Sequence, residues 1–261
     1  AEAIAALGQH GDDAKLLAGG HSLLPLMKFR LATPGVLIDI GRITDLSYVR
    51  DNGDNIAIGA LTRHRAVETD ATVVAHAPLL AHATSQVGDP QVRHRGTIGG
   101  SLSHGDGASD LPAVVLALGG TLVAQGPSGR REIAATDFFE GFLETALEPD
   151  ELLVEVRVPK APKGWSFQKF NRRAQDWAIV GVALATVEGE TRVGLVNMAS
   201  VPLRATATEE ALASGSGVQD AAELAARGTE PPADIHGSPE YRSHLAAVLV
   251  RRALQEAGER Q

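Results

Sequence analysis

The chain has 261 residues, 44% of them hydrophobic, with 24 basic against 32 acidic side chains and a net charge of −8. That is enough apolar material for a substantial core, and an acidic balance without any basic block argues against a general nucleic-acid surface. Cysteine is absent, which excludes disulfides, thiol chemistry and an iron–sulfur cluster held by this chain's own thiolates; the nine histidines form no HExxH pair or ligand-spaced cluster. In chain order, periodicity predicts a helix at 2–9, a strand at 15–18, a helix near 22–29 and a strand at 36–40, together a strand, crossover helix and strand. Pro34 and Gly35 punctuate the return to the sheet. Strands are expected next at 56–60, 121–124 and 153–158, with helices at 73–87 and 109–118, and Thr62 reads as an N-cap for a helix start near His64. Beyond a linker at 159–164, strands at 166–171, 179–187 and 192–199 suggest an antiparallel meander with a turn at 188–190. Helices at 206–213, 218–226 and 239–257 complete the chain, and 228–237 is the clearest loop. The longest mostly apolar stretch, 111–124, is interrupted by Gly119 and Gly120 and is too short to span a bilayer. Nothing near the start resembles a signal peptide, so a cytoplasmic location is expected. The sequence opens inside an amphipathic helix, and a preceding segment is expected.

Two glycine-rich segments carry the functional signal: AGGHSLLPLMK at 18–28 and QVRHRGTIGGSLSHGDGASDLP at 91–112. Paired glycines beside small hydroxyl residues let backbone N–H groups converge on an anion, and two such segments suggest a diphosphate held between them. The usual nucleotide fingerprints GxGxxG and GxxxxGK[ST] are missing, as is a GxSxG nucleophile elbow. What remains is a pair of turns in which the Gly19, Gly20, Gly99 and Gly100 amides face phosphate oxygens, or else two tight turns with no ligand. Arg93 and Arg95 flank the second segment, where they either add positive field near the diphosphate, pin the loop or face a partner subunit, the structural role being the favoured reading. Redox work in a chain without thiols needs an organic cofactor.

Read in full, AGGHSLLPLMKFRLATPGVLIDIGRI, VRHRGTIGGSLSHGDGASDLPAVVLAL and KFNRRAQDWAIVGVAL (169–184) resemble the FAD-binding medium subunits of the molybdenum hydroxylases, the group of aerobic carbon monoxide dehydrogenase and the xanthine dehydrogenase FAD subunit. The resemblance covers nearly the whole chain. It implies an α+β fold: a two-part FAD-binding domain of the vanillyl-alcohol-oxidase/PCMH type at 1–160, divided at about residue 40, then a C-terminal domain at 164–261 with a three-stranded antiparallel sheet and a helical bundle. It also implies that Ala18, Gly19, Gly20, His21 and Ser22 wrap the FAD pyrophosphate with Leu23 packing nearby. Thr97, Ile98, Gly99, Gly100 and Ser101 would complete the cradle. Asp110 resembles the family's flavin-contacting acid, Leu153 and Lys169 its further neighbours, and Trp177 an aromatic beside the isoalloxazine ring. Ser101 stands where many relatives have Asn, and Gly105 and Gly107 where Ala and Pro are common, which points to a more flexible loop.

By the same resemblance the chain binds FAD non-covalently and is an oxidoreductase component, with no catalytic acid–base residue and no metal of its own. The molybdenum cofactor and 2Fe–2S clusters sit on a large and a small partner subunit, and two heterotrimers assemble together. Electrons pass from the iron–sulfur subunit through FAD to an external acceptor, whether quinone, oxygen or a nicotinamide, most simply in a carbon monoxide dehydrogenase. The complex or its acceptor could associate with a membrane without insertion by this chain. A self-sufficient FAD oxidase or reductase and a scaffold that has lost FAD are the alternatives.

Overall fold

The unit expected at the start of the chain is present: Ala14–Leu17 and Val36–Asp39 pair in parallel, Ala14 opposite Val36, with helix Leu23–Lys28 in the crossover. The computed structural model describes residues 1–161 and 163–260. Helix Glu2–His10 buries Ala3, Ile4 and Leu7. Ala3 packs with Ile40 and Leu61, and Ile4 with Val123, Leu152 and Val154, so this small unit is fastened to the rest of the chain by two apolar contacts.

The larger body is built on a five-stranded antiparallel sheet in the order Val49–Asp51, Asn55–Gly59, Leu152–Pro159, Thr121–Gly126, Gly129–Ala134. The first and last of these had no predicted strand. Gly129–Ala134 is an edge strand whose GRREIA sequence lacks the expected apolar alternation, and charge on such an edge discourages pairing with another chain.

Helical expectations needed three corrections. The single helix expected at 73–87 is two, Ala71–His76 and Pro78–Ser85, because Pro78 starts a new helix and its predecessor Ala77 leaves helical geometry at φ −136°, ψ 57°. The second glycine segment is largely helical, with Pro90–Arg95 capped by Asp89 and Ile98–His104 capped by Thr97. Thr62 is no N-cap; its hydroxyl bridges the backbone N–H and C=O of Tyr48 at 3.0 Å each, and helix His64–Thr69 begins after Arg63.

Helix Asp110–Leu118 is apolar around its circumference after the first residue, and all nine residues are buried. One side faces the five-stranded sheet through Leu122 and Val156; the other meets the C-terminal sheet at Ala183, Ala185 and Val187. That second sheet runs Trp165–Phe170, Val180–Val187, Glu190–Val196, then the short strand Leu203–Arg204, which extends the expected three-stranded meander. Its hairpin turns at Glu188 (φ 53°) and Gly189 (φ 85°), the two positive φ values of a type I′ turn. Alternation assigns the faces: Val180, Val182 and Leu184 point to the opposite side, where Leu245, Leu249 and Val250 of helix Pro239–Glu259 cover them.

Candidate cofactor site

A cleft of about 620 Å³ opens at the seam between the small parallel unit and the larger body. Both glycine segments line it, and they touch each other. A side chain at Gly19 would collide with the backbone oxygen of Arg95 and come within 2.8 Å of Gly96 Cα. Gly20 sits at φ 78°, which turns the chain from the strand into helix Leu23–Lys28. Among the described residues no acceptor takes the N–H groups of Gly19, Gly20, His21 or Ser22, and the Ser22 hydroxyl makes no cap bond. Four successive donors on one wall form a cradle for an anionic group.

The second segment contributes differently from the sequence expectation. Its helix start is satisfied within the protein: Ile98 N–H donates to Thr62 O at 3.1 Å, Gly99 N–H to Ala60 O at 2.9 Å and Gly100 N–H to Thr97 Oγ1 at 3.1 Å. Gly99 presses against Ala60, where a Cβ would lie 2.5 Å from the alanine methyl. Gly99, Gly100, Thr97 and Ser101 still line the cleft, whereas the Ile98 side chain is fully buried in the core.

Asp110 and Lys169 form the floor. They lie on a helix and on a strand of the other sheet, and their side chains meet at 2.6 Å with almost no exposure; Lys169 Nζ also donates to Gln86 O at 3.0 Å. Burial pushes the Asp110 carboxyl up to about 6 against the opposing pull of Lys169. Its other oxygen, Oδ1, is buried and accepts from nothing among the described residues, which leaves an acceptor for a hydroxyl or N–H donor in the cleft. Leu153, Leu23 and Ala18 supply apolar wall. Trp177 lies just before strand Val180–Val187, 61% exposed at the mouth.

Of the site residues expected from sequence, the cleft brings together all but Ile98. Sequence reasoning assigned no site role to Thr145, in the short strand Glu144–Thr145, or to Leu147, Gly88 and Gly96. Gly96 is glycine for a reason that only the fold reveals: a Cβ there would lie 2.6 Å from the His64 ring, 32 positions earlier in the chain. Arg93 has the pinning role expected, bound to Glu68 and to the carbonyls of Val87 and Gly88.

A family profile described as "FAD binding domain in molybdopterin dehydrogenase" matches residues 1–161, and one described as "CO dehydrogenase flavoprotein C-terminal domain" matches residues 165–257. The chain belongs to the FAD-binding medium subunits of the molybdenum hydroxylases. It is 43% identical to the carbon monoxide dehydrogenase medium chain of Hydrogenophaga pseudoflava over 99% of this chain and 94% of that one. It is 38% identical to the nicotine 6-hydroxylase medium subunit of Paenarthrobacter nicotinovorans, over 95% and 91%. The solved carbon monoxide dehydrogenase from Hydrogenophaga pseudoflava lacking the Mo-pyranopterin moiety superposes with a TM-score of 0.95 at 44% identity, covering 99% of this chain and 94% of that one. This medium subunit is thus an oxidoreductase component with FAD as its cofactor. The free N–H run at 19–22 and the unpartnered Asp110 Oδ1 fit that group, one suited to a diphosphate and the other to a donor. No group of three His, Cys, Asp or Glu among the described residues is placed to hold a metal. No helix among them is long and apolar enough to cross a membrane.

Proposed function

We propose that this medium subunit carries electrons from an iron–sulfur subunit to an external acceptor within a molybdenum hydroxylase of the carbon monoxide dehydrogenase type. The observation that carries the reading is the cleft in which four unclaimed backbone N–H groups, a buried acceptor and an exposed aromatic share one wall system. FAD, when bound, accepts electrons singly and releases them in pairs, which suits a junction between one-electron clusters and a two-electron acceptor.

The chain's own residues bind, orient and shield. Ala18, Gly19, Gly20, His21 and Ser22 hold the diphosphate, Thr97, Gly99, Gly100 and Ser101 close the opposite side, and Leu23 and Leu153 exclude water. Asp110, kept in place by Lys169, accepts from the cofactor, and Trp177 packs at the ring. No acid–base team for a carbon substrate is needed, and zero cysteines fit the placing of molybdenum and 2Fe–2S chemistry on large and small partner subunits. The chain divides functionally into 1–160 and 164–261, works in the cytoplasm and assembles as a pair of heterotrimers. The relatives named for carbon monoxide and for nicotine each match this chain over more than nine-tenths of their own length, in keeping with a substrate chosen elsewhere in the complex.

An absorbance spectrum of the purified chain, alone and then with its co-purified partners, tests the reading. Near-stoichiometric flavin bands, joined by iron–sulfur absorption only with partners and bleached by substrate only in the complex, are expected. Bleaching by substrate in the isolated chain would replace it with a self-sufficient oxidase or reductase.

A further inference from the structure

His64 is buried to 2% exposure beneath the second glycine segment, and only one of its ring nitrogens has a partner. Nε2 lies 3.1 Å from Ser101 Oγ; Nδ1 is buried and meets nothing among the described residues. The ring packs against Gly96, and the His64 backbone N–H donates to Gly96 O at 3.0 Å, so ring and backbone are both anchored on that residue. Ser101 Oγ makes no other hydrogen bond among the described residues, and both side chains line the cleft.

Two neutral tautomers are open to this ring, and they give Ser101 opposite roles. With the proton on Nδ1, a buried N–H has no acceptor, and Ser101 spends its hydrogen on Nε2. With the proton on Nε2, that N–H donates to Ser101 Oγ, the orphan at Nδ1 is only a lone pair, and the Ser101 hydrogen is free for the cleft. A buried donor without an acceptor is the rarer and costlier defect. Burial holds the imidazole neutral at pH 7.

We infer that His64 is a positioning residue: as the Nε2–H tautomer it donates to Ser101 and so turns the serine hydroxyl into a hydrogen-bond donor for a phosphate oxygen of the cofactor. The inference rests on the FAD reading above. Ser101 is then a side-chain donor on a wall where the amides of Ile98, Gly99 and Gly100 are already used inside the protein.

The test has a part needing no variant. In the full chain labelled with ¹⁵N-histidine, the His64 ring should show a protonated Nε2 and a bare Nδ1 at pH 7; the reverse tautomer overturns the inference even if FAD binds. FAD affinity is then measured on the full chain with its co-purified subunits. Loss of a hydrogen bond to a charged oxygen should make Ser101→Ala about tenfold to a hundredfold weaker. His64→Ala should weaken binding similarly, and the double variant should be no worse than either. His64→Gln, which places an amide donor near Nε2, should recover most of the affinity, whereas His64→Asn should not. Thermal melts of each variant identify any that do not fold. Additive losses, or equal losses for Gln and Asn, would show that His64 merely fills space. Failure of the unaltered assembly to hold FAD would sink the FAD reading itself, and this inference with it.

Discussion

Lys169 Nζ and Asp110 Oδ2 meet at 2.6 Å across a join between a strand of the C-terminal sheet and the first residue of the buried helix Asp110–Leu118. A buried pair of this kind costs desolvation to form, and removing one partner leaves the other charge stranded. Lys169→Met and Asp110→Ala should each destabilise by about 3–5 kcal/mol. The double variant Asp110→Asn with Lys169→Met should lose less than either single change. Urea denaturation of the three proteins checks this; single losses below about 1 kcal/mol would mean the pair is not buried as described.

Two glycines should respond oppositely to the same substitution. Gly19→Ala forces a methyl into the Arg95 carbonyl, so the two segments must part and FAD binding should collapse. Gly8 lies inside helix Glu2–His10 with nothing within 4 Å of an added Cβ, and Gly8→Ala should stabilise by about 0.5–1 kcal/mol through helix propensity alone. Melting temperature and FAD titration on both variants decide the point.

Acid sensitivity should trace to His64. Burial, with His21, Arg93 and Arg63 adding positive charge nearby, holds its imidazole down to about 4, against about 6.5 when unfolded. Between those values the unfolded chain binds the extra proton, so this contribution is fully present above about 6.5 and is lost as pH falls toward 4, about 3 kcal/mol over the span. Asp110, raised to about 6, has the opposite sign: its contribution is present at low pH and lost as pH rises through about 6. The difference in unfolding free energy between the unaltered chain and His64→Gln, followed from pH 7 to 4.5, cancels the Asp110 part. That difference should shrink steadily on acidification; a constant gap would contradict the assignment.

Trp177 is exposed and carries little of the core. Trp177→Ala should change stability by no more than about 0.5 kcal/mol, yet alter flavin fluorescence if the ring packs there. Unchanged flavin emission would remove Trp177 from the site.

The opening strand–helix–strand unit was legible because Gly19–Gly20 and Pro34–Gly35 punctuate clear apolar runs, and helix Asp110–Leu118 because its apolar run ends at Gly119, in left-handed geometry at φ 65°. The helices inside the second glycine segment were not. Gly-Gly beside Ser and His reads as loop, although Asp89–Pro90 and Thr97 are recognisable helix starts. Strand Gly129–Ala134 escaped because an edge strand with charge on both faces has no period-2 signal. Within the site, resemblance supplied the residues, but no local rule joins Asp110 to a lysine 59 positions away, or His64 to Ser101. The first contact exists only once the two sheets have closed on the helix between them, and the second only once helix His64–Thr69 meets helix Ile98–His104.

Because that helix is walled by both sheets and its aspartate is neutralised from the far one, the boundary between the two matched family regions runs through the cofactor site itself. A fragment ending at residue 161 would carry every glycine of the cradle and still present a stranded carboxylate on a helix stripped of half its cover. Shuffling the two regions between relatives should therefore succeed only where the incoming strand brings a lysine to the position of Lys169.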